Sequence, residues 1–167
     1  MRALAIFTLC VLLLARPAVA EEQRIQFPED YRSTFTNYLN LDRTQNDDQI
    51  IHLYANQLAI DGLRDSGTFP DGSVLIGEVY KAKKDEAGEV IESILGHRIR
   101  GKLALVAVME KRAGWGDAFS EDLRNGDWDF AAFKPDGSIA KKDLDECRAC
   151  HAPLGDLQHV FSIEHLQ

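Results

Sequence analysis

The sequence predicts an α+β fold: an antiparallel sheet of about four or more strands, an N-terminal helix and a C-terminal helical segment. Three observations predict it. Runs rich in β-branched residues fill the middle of the chain, two Pro-Asp-Gly turns fall at 70–72 and 135–137, and both ends carry segments suited to helices.

The N-terminal helix is expected over about 28–40. Pro28 precedes two acids, and Tyr31, Phe35, Tyr38 and Leu39 recur at helical spacing. The polar stretch TQNDDQ follows as a connection. Residues 50–55 read as a short strand, with Asn56 capping a helix that ends near Gly67, although one continuous helix is also compatible. SVLIGEVYKAK, EVIESIL, KLALVAVMEK and DWDFAAFKPDGSI supply the strands. KKDLDECRACHAPL is polar enough for a surface helix.

The first twenty residues, MRALAIFTLCVLLLARPAVA, combine a positive start, a short apolar run and an Ala-Val-Ala exit. They read as a secretory signal peptide cleaved after Ala20, which would remove Cys10. The run is too short and too early to span a membrane comfortably. Residues 21–167 are then one domain, placed in the periplasm.

The chain carries a net charge of −8, and the leader contributes only cations, so the mature part is more acidic still. Nucleic acid and anionic membrane surfaces are disfavoured as partners. An unidentified redox partner stays compatible with that charge.

The motif Cys147-Arg148-Ala149-Cys150-His151 admits four readings. Zinc needs about four ligands, and no second pair accompanies this one. A thioredoxin-type dithiol opens a helix after a strand in a βαβ unit, a context missing here. A disulfide between residues three apart closes a tiny loop and constrains little of the unfolded chain. C-x-x-C-H is, by contrast, the attachment pattern for haem c. Cys147 and Cys150 would form the thioethers, and His151 would be the proximal ligand to iron.

A sixth ligand is hard to find. Met109, the one methionine beyond the leader, sits in an apolar strand-like run. His52 alternates with apolar neighbours, His97 reads as a loop residue, and His159 and His165 follow the motif closely. Few residues follow His151, which excludes a layout with an early haem motif and a late Met ligand. An open sixth position is the economical reading. It points to small-ligand chemistry more than to an electron-transfer cytochrome.

FPDGSVLIGEVYKAK, DLRNGDWDFAAF and the late CRACH together resemble the cytochrome P-460 family, and within it the cytochrome c′-beta branch. The resemblance spans roughly Tyr31 to Leu166. It implies a sheet-rich periplasmic homodimer with a five-coordinate haem c that binds nitric oxide and carbon monoxide. The P-460 branch oxidises hydroxylamine and carries a lysine cross-linked to the haem. The matching position here is Gly77, and Lys81 and Lys83 are displaced from it, so the cross-link is not expected. Glu146, beside Cys147, is the carboxylate to test as a proton acceptor for such oxidation. The c′-beta branch caps its distal face with phenylalanine, and Phe69 and then Phe35 are the candidates. An all-helical cytochrome c′ also places its haem motif late, but the two Pro-Asp-Gly turns and the β-branched runs argue against it.

Overall fold

A computed structural model describes residues 23–166; the expected signal peptide lies outside them. Five strands form one antiparallel meander in the order β1-β2-β3-β4-β5. They are β1 (Thr36–Asp42), β2 (Gln49–Ala55), β3 (Val74–Ala82), β4 (Arg100–Lys111) and β5 (Trp128–Phe133). Three helices accompany them: α1 (Tyr31–Thr34), α2 (Gln57–Ser66) and α3 (Asp145–His151). The expected α+β class is therefore found, with five strands in the sheet.

The N-terminal helix expected over 28–40 is a correction. Only one turn forms, and Phe35 is already extended as the chain enters β1. The aromatic spacing fits a helix, but Thr34 and Thr36 are β-branched, and β1 gains a full hydrogen-bonded partner in β2. The split at Asn56 is found. The Asn56 side chain accepts from the Ala59 N–H at 3.0 Å and the Val74 N–H at 3.1 Å, fastening the start of α2 to the start of β3. Gly67, in the left-handed region, ends the helix.

The expected strand EVIESIL is not a member of the sheet. Residues 83–99 fold back twice, and Ile91 donates to Lys83 while its carbonyl accepts from Ile99. Isolated bridges at Lys84–Val90 and Glu92–Arg98 complete this excursion from the β3–β4 end. Ile94 and Leu95 at its tip are exposed.

Strand pairing sorts the side chains onto two faces. One face bears Ile76, Val108, Ala131, Val106 and Phe133 and packs against Ile25, Tyr31 and the N-terminal segment. The other bears Ala55, Leu75 and Trp128 and is covered by Ala59 and Leu63 of α2 with Val160, Ile163 and Leu166. The C-terminal segment thus closes only part of this second face. The remainder positions the site.

Candidate haem-binding site

α3 is seven residues long, with Asp145 and Glu146 in its first turn and Arg148 and His151 in its last, charges that suit the helix dipole. The Asp143 carboxylate accepts from the Asp145 N–H at 3.0 Å in the turn that leads into the helix. Helical spacing puts Cys147, Cys150 and His151 on one side of this short helix. Both thiols are free; Cys147 is half-buried and Cys150 exposed. Burial pushes the Cys147 thiol above its ordinary value, and the Lys142 and Arg148 charges only partly oppose it.

The His151 ring is held on three sides. Its Nδ1 donates to the His159 carbonyl at 2.8 Å, and the rings of Phe130 and Phe161 meet it edge-on at 5.1 and 4.9 Å between centroids. With Nδ1–H so used, Nε2 is the nitrogen available to iron. Burial lowers the imidazole's pKa and favours the neutral form that a ligand to iron requires.

The His159 carbonyl is aimed by an unusual backbone. Gln158 and His159 have φ of 49° and 63°, the non-glycine residues in the left-handed region among those described. Such residues cost of order 1–3 kcal/mol each and persist where their surroundings hold them. Here Gln158 is held from three directions. Its side chain accepts from the Phe69 N–H at 3.0 Å and donates to the Gly67 carbonyl at 2.8 Å, and its own carbonyl accepts from Trp128 Nε1 at 3.1 Å.

The stretch Asn125-Gly126-Asp127-Trp128-Asp129 is the platform beneath this segment. Asn125 Nδ2 donates to the Arg148 carbonyl at 3.1 Å, and Asp129 pairs with the Arg148 guanidinium at 2.8 Å. Trp128 reaches Gln158, as above. Gly126, with φ of 56°, lies 3.6 Å from the His159 ring through the position a Cβ would take. The Asp127 carboxylate accepts from the Gly114 N–H at 3.0 Å and anchors the platform to the β4–β5 loop.

Beside His151 the sheet face is apolar across three consecutive rows. The first row is Ala55, Leu75, Met109 and Phe130. Leu39, Leu53, Gly77, Ala107 and Ala132 form the second, and Leu41, Ile51, Val79 and Leu105 the third. None of these side chains titrates. Leu39, Ile51, Leu53, Leu105 and Ala107 are only half-buried, Leu41 is 37% exposed, and Phe161 next to His151 is 46% exposed. An apolar sheet face left this open calls for cover.

A porphyrin fits that requirement: two thiols on one helix side, an imidazole with Nε2 free to face iron, and an apolar surface alongside. The small side chains Gly77, Ala107 and Ala132 leave the middle row low. At Gly77 an added Cβ would come within 3.1 Å of Ile51 Cδ1, so even alanine there crowds the row. Cys147 and Cys150 would hold the group covalently and His151 its iron. For zinc, the accompanying ligands are missing: no group of three or more His, Cys, Asp or Glu among the described residues is placed to hold a metal ion.

The other sequence candidates scatter. Phe69 is 1% exposed in the closed cluster under the C-terminal segment, edge-on to Trp128 at 5.3 Å, and not on the half-exposed rows. Phe35 packs against the cluster on the opposite face of the sheet, away from His151. Met109 is a sheet residue of the first row. His52 lies on the opposite face, 4.0 Å from the Glu78 carboxylate, and His97 is an exposed residue of the excursion. His165 is exposed, and Glu146 is exposed and paired with Lys142. Lys81 and Lys83 stand beyond the rows, at the far end of β3. Arg148, Asn125 and Gln158 were not identified from sequence. The position of Arg148 inside the motif and the N-G-D-W stretch were the available signals.

Taken together, α3, the His159 carbonyl and the open apolar rows define a c-type haem protein. A family model described as Cytochrome P460 matches residues 28–162, and the chain belongs to that family, whose haem c is covalently bound. No curated protein matches the chain.

Proposed function

We propose that this chain is a cytochrome of the c′-beta type whose five-coordinate haem c binds nitric oxide, and carbon monoxide with it, for scavenging, sensing or buffering. Ferrous haem iron with a vacant axial position supplies the affinity for such ligands when the group is bound. The observation that carries the reading is the composition of the three rows beside His151. They offer neither a titratable group to act on a substrate proton nor a lysine at position 77.

The chain's own residues do the rest. His159 keeps the proton of His151 on Nδ1, which orients the ring and raises its basicity toward iron. Leu39, Leu53 and Leu105 exclude water from the apolar side, so a ligand that needs a hydrogen-bond donor gains nothing there. The A-x-A ending of residues 1–20 supports export to the periplasm, and homodimerisation follows from the family resemblance as part of the same proposal.

The absorption spectrum of the purified ferrous protein, before and after nitric oxide, tests this directly. A high-spin spectrum that converts on addition of the gas is expected. A Soret band strongly displaced to the red would instead indicate P-460-type hydroxylamine oxidation. A low-spin spectrum indifferent to nitric oxide would indicate electron transfer.

A further inference from the structure

Between the two attachment cysteines lies a residue that the haem itself does not require. Arg148 is 1% exposed, whereas its neighbour Ala149 and Cys150 are exposed. Its guanidinium pairs with Asp129 of β5 at 2.8 Å and with Asp145 at 2.9 Å, and lies 4.2 Å over the Phe119 ring. Its backbone is held too, because the Arg148 carbonyl accepts from Asn125 Nδ2 and from the Ala152 N–H.

A buried ion pair is weak evidence for stability, since apolar replacements of similar volume often serve as well; orientation is its better-attested use. Here orientation matters. α3 is short, its preceding residue Leu144 makes no side-chain cap bond, and it meets the sheet chiefly at β5. Arg148 and His151 are three residues apart on it, so any roll of the helix about its axis carries the imidazole with it.

We propose that Arg148 is a positioning residue for the iron's proximal ligand: clasped by Asp129 and stacked on Phe119, it fixes the roll of α3 and hence the plane of the His151 ring. The His159 carbonyl then sets the ring's rotation about its own bond. The two restraints act on different motions: the bond to Nδ1 limits ring rotation, and the Arg148 clasp limits the roll of the helix against the sheet.

Low-temperature electron paramagnetic resonance of the ferric holoprotein is the test. The rhombic splitting of a high-spin signal, or the g anisotropy of a low-spin one, responds to the imidazole plane. Comparing variant and parent in the same ligation state therefore gives a result that does not depend on the nitric oxide reading. Arg148→Lys keeps the charge and loses the planar fork. The pair Arg148→Met with Asp129→Leu removes both buried charges at similar volume, and Phe119→Leu removes only the stacked ring. All three are expected to shift or broaden the lines while haem stays attached. In the double variant the unfolding midpoint should return toward the parent value, yet the lines should stay displaced. Lines superimposable on the parent's in whichever of these variants carries haem overturn the proposal.

Discussion

Nδ1 of His151 lies 2.8 Å from the carbonyl oxygen of His159, and the His159 ring returns the contact to the His151 carbonyl at 3.3 Å. The two histidines therefore brace one another across the tight reversal at Gln158. That reversal stands in the left-handed region only because Gln158 is held by Phe69, Gly67 and Trp128. Gln158→Ala removes both side-chain bonds and is expected to lower unfolding stability by about 1–3 kcal/mol. Guanidinium denaturation of the holoprotein measures it; an unchanged midpoint would show that the reversal holds itself.

Phe69 is expected to act as a core residue. It fills the space between Trp128 and the C-terminal segment, so Phe69→Ala should cost about 3–5 kcal/mol. Phe69→Leu should cost distinctly less, with nitric oxide association left near the parent rate. Stopped-flow kinetics alongside thermal unfolding separate the outcomes. A large acceleration in the leucine variant at preserved stability would move Phe69 back to the ligand side.

Ala107 sits in the middle of the low row, between Gly77 and Ala132. Ala107→Trp would fill the surface assigned to the porphyrin without touching the cysteines or His151. Haem content per chain, measured as the pyridine haemochrome, should fall severalfold. Full occupancy in that variant would place the porphyrin elsewhere on the protein.

On the opposite face Glu78, 1% exposed, receives hydrogen bonds from Tyr31 at 2.6 Å, Tyr80 at 2.8 Å, Tyr54 at 3.1 Å and Arg32 at 2.6 Å. Burial alone would raise its pKa, but those donors and the Arg32 charge outweigh it and hold the carboxyl below its ordinary value of 4.5. The same cage pushes the Tyr54 hydroxyl up to about 12, burial first and the Glu78 charge next. A depressed carboxyl stabilises the fold above its unfolded pKa, and this contribution disappears as pH falls through the folded value. Urea midpoints of the parent should therefore drop below about pH 4.5. Those of Glu78→Gln should start lower at neutral pH and decline less steeply; parallel profiles would remove Glu78 from the acid sensitivity.

Much of this was legible in the chain. Asn56 and Gly67 mark both ends of α2, β-branched and apolar runs mark β3 and β4, and the Pro135-Asp136-Gly137 turn follows β5. The failures have physical causes. Tyr31, Phe35, Tyr38 and Leu39 satisfy helical spacing, but pairing with β2 is a tertiary gain that local spacing cannot register. EVIESIL carries β-branched residues, yet the glycine turns that flank it, at Gly88 and Gly96, bend it out of the sheet. At the site, the cysteines and His151 announce themselves by chemistry. Arg148 does not, because a charged residue in a polar segment gives no sign of burial until Asp129 and Phe119 are seen beneath it. Gln158 is invisible for a similar reason, since its partners lie 89 and 91 residues away along the chain.

β3 also works as a partition one residue thick. Gly77 looks onto the apolar rows, and the next residue, Glu78, looks into the tyrosine cage behind them. Side-chain facing alternates strictly along a strand, so inserting or deleting a single residue before position 77 would exchange the two. A carboxylate would then face the porphyrin and a glycine would sit where three tyrosines converge. Length in this strand is thus as tightly constrained as identity, and a lineage could acquire an acid beside the iron by a change of register with no new side chain at all.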